Sequence, residues 1–282
     1  MAIDARLGCS TITFRHLTLP DALAVITDLG FEEIDLGALP GVCDHVPYEL
    51  TATAVRDVAA VLTASPLRVR SVNGDVGDLN RPLDARQRAD RDEHLRRLLE
   101  LTAAIDARAL VLPCGAQQHD PIADLDTDLD LVAAELISAA GRAEQAGVEL
   151  WVEGLHFFRL CWNLERAQQL ADRLAGHPVG LVLDTSHVVA SGATPEQFIA
   201  AFGDRIVHVH LRDASPGYIH HSIGRGDVDF AATYRALTAI GYPGHSALEL
   251  ETRDVENDQR PAAAAAAADF ITALFPATAP VN

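Results

Sequence analysis

Glu153 after LWV, Asp184 after VGLVL, His210 within IVHVHL and Glu249 after HSAL each stand at the end of an apolar run in the second half of the chain. Runs of this length read as buried parallel strands, and one polar group at each strand end predicts a shared site. Two glutamates, an aspartate and a histidine offer mostly oxygen with one nitrogen, a donor set suited to Mn²⁺, Mg²⁺, Co²⁺ or Zn²⁺. A single acid at a strand end is as readily a cap or an ion-pair partner. One such group on each of four successive strands points to a metal enzyme. Because strand side chains alternate, His208 shares a face with His210 and Glu251 with Glu249, so the residue pattern alone leaves both choices open.

The elements that must position these groups alternate along the chain. Strands are expected at Arg6 to Ser10, Glu33 to Leu36, Val69 to Val72, Ala109 to Leu112, Val148 to Glu153, Val179 to Asp184, Ile206 to Leu211 and Ser246 to Glu251. Between them fall a helix capped by Thr18 and opened by Pro20, then helices over Tyr48 to Thr63, Asp84 to Ala104, Asp126 to Gln145 and Leu164 to Leu174. Pro195 to Phe202, Phe230 to Ile240 and Pro261 to Leu274 complete the helices, the last containing the alanine run from Ala262 to Ala268. Alternation of this kind allows an open doubly wound sheet or a closed barrel. No G-x-G-x-x-G follows the first strand, which weakens a dinucleotide-binding sheet. Eight strands with polar groups at their carboxyl ends favour an α/β fold, a single (β/α)8 TIM barrel over residues 1–282, whose post-strand loops build the site.

The segments VEGLH, LVLDTSH, HVHLRD, SIGRGDVDF and GYPGHSALELE, in that order, resemble the xylose isomerase-like barrels of the sugar-phosphate isomerase/epimerase and endonuclease IV superfamily. The likeness runs from LGCSTITF through LGFEEIDL to the last strand. It implies a barrel with one divalent metal, Mn²⁺ in first place, held by Glu153, Asp184, His210 and Glu249. It also selects His210 over His208 and Glu249 over Glu251. His187, three residues beyond Asp184, is implied as a substrate contact, as in epimerases of the family. Arg212, Arg225 in the Gly224-Arg225-Gly226 loop and His156 are further substrate-binding candidates. Trp162 and Phe157 are candidates to wall a sugar face, although packing suits Phe157 better.

The endonuclease branch needs an extra histidine on the third strand and another after the fourth. This chain reads Val69-Arg70-Ser71-Val72-Asn73 and Val111-Leu112-Pro113-Cys114 there, and Tyr218 stands where that branch has an aspartate. One metal therefore suits isomerase or epimerase chemistry on a ketose, inosose or similar polyhydroxy carbonyl compound. A metal-stabilised enediolate and a proton-transfer pair, Glu153 and Glu249, would carry it. Dehydration of a keto-polyol or dehydroshikimate-like compound is the alternative, and a non-catalytic or partner subunit of a sugar-processing complex is a third reading.

Composition agrees. The net charge of -18, from 22 basic and 40 acidic residues, repels phosphate backbones and argues against nucleic acid as partner. Cys9, Cys43, Cys114 and Cys161 are scattered without short pairing, which predicts a reducing, cytoplasmic setting. No secretory leader is read at the start, and no apolar run reaches the roughly 20 residues of a membrane span. The expected partner is a small sugar or polyol, with a homo-oligomer as an open possibility.

Overall fold

The computed structural model describes residues 2–275. Its strands are β1 (Leu7–Ser10), β2 (Glu33–Ala38), β3 (Arg68–Gly74), β4 (Ala109–Pro113), β5 (Glu149–Glu153), β6 (Val179–Asp184), β7 (Ile206–Leu211), β8 (Asp213–Ser215), β9 (Tyr218–His221) and β10 (Ser246–Leu248). The helices are α1 (Leu19–Asp28), α2 (Ala52–Thr63), α3 (Ala85–Ala104), α4 (Leu125–Gln145), α5 (Leu164–Arg173), α6 (Thr185–Ala190), α7 (Pro195–Phe202), α8 (Phe230–Ala239) and α9 (Arg260–Thr272). β1 through β7 and β10 pair in parallel, and β1 closes on β10, giving the expected (β/α)8 barrel. No helix among the described residues is long and apolar enough to cross a membrane.

Side chains that donate or accept at helix starts explain where most helices begin. Thr18, Thr51, Asp84, Asp124, Asn163, Thr194 and Asp229 each accept a backbone N–H of the first turn. Thr51 thereby starts α2 at Ala52, four residues later than the Tyr48 start read from the sequence. The alanine run forms α9 as expected. Ala264, Ala267, Ala268 and Ile271 turn inward at helical spacing, so small side chains let the helix sit close to the barrel.

Inside the barrel, alternation stacks side chains in layers. Ala109, Val111, Trp151 and Val182 form an apolar plug. Two residues further along, Trp151 gives way to Glu153, Val182 to Asp184 and His208 to His210. The apolar layer thus becomes the floor of a polar one at the carboxyl ends of the strands. Besides the short helix α6 after Asp184, two features were not expected from the sequence. The last strand ends at Leu248, leaving Glu249 on the following loop, and β8 with β9 forms an antiparallel hairpin above the barrel.

Candidate metal centre

The four expected ligands converge. Glu153, Asp184, His210 and Glu249 bring one donor atom each to within 4.8 Å of one another, and all four residues are buried. Asp184 shows how local sequence aims a donor atom. It caps α6, so its Oδ1 accepts the backbone N–H groups of Ser186 and His187 and the Ser186 hydroxyl. Among the described residues its Oδ2 has no hydrogen-bond partner, and neither has Glu153 Oε1 nor either ring nitrogen of His210. Buried acceptors left unpaired are costly, and three carboxylates packed together repel one another. A divalent cation answers both problems, and the donor set fits one.

Charge perturbations follow the same crowding. Burial, then the negative charges of Asp184 and Glu249, push the Glu153 carboxyl well above its usual range. Burial also raises Glu249, against the pull of His210 and Arg212. Burial opposes a charge on His210, but Glu249, Asp35 and Glu153 outweigh it and raise the imidazole to about 10. Asp184 lies low despite its burial, held there by Arg212, His210 and Ser186.

Behind His210 stands a residue the sequence reading missed. Asp35 of β2 is fully buried, with Oδ2 2.7 Å from His208 Nε2 and 3.4 Å from His210 Nε2, while Ser71 donates to its Oδ1 at 2.9 Å. Lying beside the far nitrogen of His210, this carboxylate draws positive charge onto the imidazole. His210 Nδ1 is left facing Glu249 Oε2 at 3.6 Å. His208, pushed down by burial, stacks on Trp151 and sits a layer below the centre. Nothing in the sequence tied Asp35 to His210, because they lie on opposite sides of the chain's fold in order and meet only across the barrel.

Above the ligands lies a cavity of about 240 Å³ lined by His156, His187, Arg212, Asn73, Gln117, Phe158, Arg159, His220, Glu251 and Arg253 together with Glu153 and Glu249. Glu153, His156 and His187 are also close enough to suggest a second metal cluster. Their hydrogen bonds argue otherwise. The backbone N–H of Phe157 donates to His187 Nδ1 at 3.1 Å, and that of Phe158 donates to His156 Nδ1 at 3.3 Å. Each neutral ring must then carry its proton on Nε2, which leaves no lone pair there for a metal. Burial first, with neighbouring cations, pushes both imidazoles well below the usual histidine range, so neutral rings are expected. The two rings stack with centroids 3.8 Å apart.

Arg212 is fully buried and bonds Ser186 Oγ and Glu251, with Asp184 Oδ2 at 3.6 Å; it does not pair with Asp213. Asp213 instead organises the glycine loop, accepting the backbone N–H groups of Gly224, Gly226 and Val228. A side chain at Gly226 would collide with the Ala214 carbonyl and the Asp213 carboxylate, which explains that glycine. Arg225 points outward from this loop, 64% exposed, 3.7 Å from Asp254, and borders a separate depression against α9. The structure therefore does not bring Arg225 to the cavity with the other candidates. Phe158, 43% exposed, rather than Phe157 lines the cavity wall, and Trp162 stacks on His119.

Comparison with known proteins agrees with this architecture. A family described as xylose isomerase-like TIM barrel matches residues 23–274. A 3-dehydroshikimate dehydratase of Pseudomonas putida is 25% identical over 83% of this chain and 36% of its own length. An L-ribulose 3-epimerase of Mesorhizobium japonicum is 30% identical over 44% of this chain and 41% of its own length. The matches thus span well under two thirds of these relatives. Among solved structures, the IOLI protein with a bound zinc atom superposes with a TM-score of 0.77 at 20% identity, covering 95% of this chain and 99% of that one. The chain belongs to the xylose isomerase-like TIM barrel family.

Proposed function

We propose that the protein is a divalent-metal-dependent isomerase or epimerase of a ketose, inosose or similar polyhydroxy carbonyl compound. The observation that carries this reading is a buried ring of three carboxylates and an imidazole with unpaired donor atoms, facing a sugar-sized cavity. Asp184 through Oδ2, with Glu153, His210 and Glu249, would hold the cation, Mn²⁺ in first place. Bound there, it would supply a Lewis acid that polarises a carbonyl and the neighbouring hydroxyl and acidifies the C–H between them.

The chain's own groups would move the proton. Glu153 on β5 and Glu249 beyond β10 come from separated strands of the barrel and both line the cavity, so each can serve one face of a flat substrate. Burial raises both carboxyls towards the range where an acid can both take and return a proton. Asn73 donates to Glu249 Oε1 at 3.2 Å and steadies it. His187 Nε2–H and Arg212 Nη2–H lie 3.4 Å apart beside the site, His187 3.5 Å from Glu153 Oε1 and Arg212 3.6 Å from Asp184 Oδ2. A substrate oxygen would satisfy both, and His156 Nε2–H adds a third donor beside Glu153, 3.9 Å away. The stacked rings and Phe158 would exclude water from one side.

Deuterium exchange tests the roles. Incubated with a ketose panel in D2O, the metal-loaded protein is expected to place deuterium next to the carbonyl, and Glu153→Gln and Glu249→Gln should each abolish this while retaining the fold by circular dichroism. Exchange at undiminished rates in both variants refutes the assignment. The dehydratase relative aligned over 83% of this chain supports a second reading, in which the same proton removal expels water. A product lighter by one water would decide for it.

A further inference from the structure

The charges around the cavity are matched in pairs with one exception. Arg159 spends its guanidinium on Asp75 at 2.6 Å and the Gly115 carbonyl at 3.0 Å. Glu251 is shared by Arg15 at 2.7 Å and Arg212 at 3.3 Å. With a divalent cation on the floor, the charges of Glu153, Asp184 and Glu249 are balanced by the cation and Arg212. Arg253 is the remainder. It lines the cavity, is exposed, and its guanidinium has no carboxylate or carbonyl partner among the described residues. Its backbone N–H donates to the His220 carbonyl at 3.1 Å, which ties its position to the β8–β9 hairpin. In a chain of net charge -18, an unpaired cation at the mouth of the site is a local feature rather than part of a basic surface.

The unspent wall groups have the same bias. The locked tautomers of His156 and His187 make both of them donors into the cavity. The carboxylates that could compete for Arg253 are committed, Glu251 to two arginines and Asp75 to Arg159. A neutral sugar would leave Arg253 idle.

We propose that the substrate carries an acidic group, a carboxylate or a phosphate, remote from its carbonyl, and that Arg253 receives this group at the cavity mouth. The proposal rests on the functional reading above, in which the carbonyl lies over the four ligands. Arg253 then sets which carbonyl compounds are accepted and how they are oriented, without taking part in proton transfer. A guanidinium meeting a carboxylate or phosphate forms charge-assisted hydrogen bonds, the stronger class of such contacts.

Three probes with the same six-carbon chain separate the possibilities: D-fructose, 5-keto-D-gluconate and D-fructose 6-phosphate. The two acids carry their charge four carbons from the ketone. Titration calorimetry on the Mn²⁺-loaded protein at 0.15 M salt is expected to show at least one acid binding about tenfold more tightly than D-fructose. The tighter acid identifies carboxylate or phosphate as the group recognised. In Arg253→Gln the advantage should vanish while the affinity for D-fructose stays unchanged, and Arg253→Lys should restore part of it. Acids that bind no better than D-fructose, or an advantage that survives in Arg253→Gln, overturn the proposal. Because calorimetry reads binding alone, a failed isomerase reading would appear separately, as absent deuterium exchange.

Discussion

Removing the metal by chelation should make the protein lose stability as the solution turns alkaline, starting near neutrality. In the metal-free site the cluster of His210, Glu153 and Glu249 holds a proton and titrates as a unit. His210 is raised from 6.5 to about 10 by its carboxylate neighbours, with burial opposing. A folded-state value above the unfolded one contributes stability that is complete below about 6.5 and is lost as pH rises towards 10. Within that window the slope is about 1.4 kcal/mol per pH unit for one proton, so about 2 kcal/mol disappears between pH 7 and 8.5. For a chain of this size that corresponds to a fall in Tm of roughly 3–4 °C. The chain contains no lysine, and burial pushes the thiols of Cys9 and Cys43 up to about 12 and about 11. Thermal unfolding followed by circular dichroism, in EDTA and with excess Mn²⁺, measures the effect. The metal-loaded protein should stay level over the same range, because the proton has already been displaced. Parallel curves with and without metal, or a level curve in EDTA, refute the reasoning.

Further outcomes follow from the same geometry. Asp35→Asn keeps the shape but removes one of the carboxylates holding the proton on His210, so the alkaline decline of the metal-free protein should begin at a lower pH; an unchanged profile would detach Asp35 from the centre. Arg212→Ala should reduce turnover at least a hundredfold, since its guanidinium touches Asp184, Glu251 and His187, whereas Arg225→Ala should leave turnover within about twofold. Steady-state kinetics on whichever ketose exchanges deuterium compares them. Gly226→Ala forces a side chain into the Asp213 turn and should cost about 1–3 kcal/mol, read from the urea midpoint.

The four strand-end groups of the candidate centre were legible because their signals are local. Each stands at an apolar run whose length and composition mark a strand, while the choice of His210 over His208 and Glu249 over Glu251 came from the family resemblance and not from alternation. Asp184 also carries its own cap, with Ser186 and His187 two and three residues on, so its aim is written within one short segment. The β8–β9 hairpin escaped notice because Asp213 to His221 lacks the long apolar alternation that marks a strand, and its pairing depends on α6 beneath it. Arg225 misled for a related reason. G-R-G looks like a loop built to meet a ligand, yet its glycines serve the approach of the backbone to Asp213.

By itself the sequence determined the eightfold alternation, the helix caps and the four groups at the strand ends, all properties of residues within a few positions of one another. Tertiary structure decided which charges remain free. Asp35 reaches His210, Arg15 and Arg212 consume Glu251, Asp75 consumes Arg159, and the Arg253 guanidinium is left without a carboxylate among the described residues. These pairings join residues far apart in the chain, and an ion pair depends on distance through space, which closing the barrel sets.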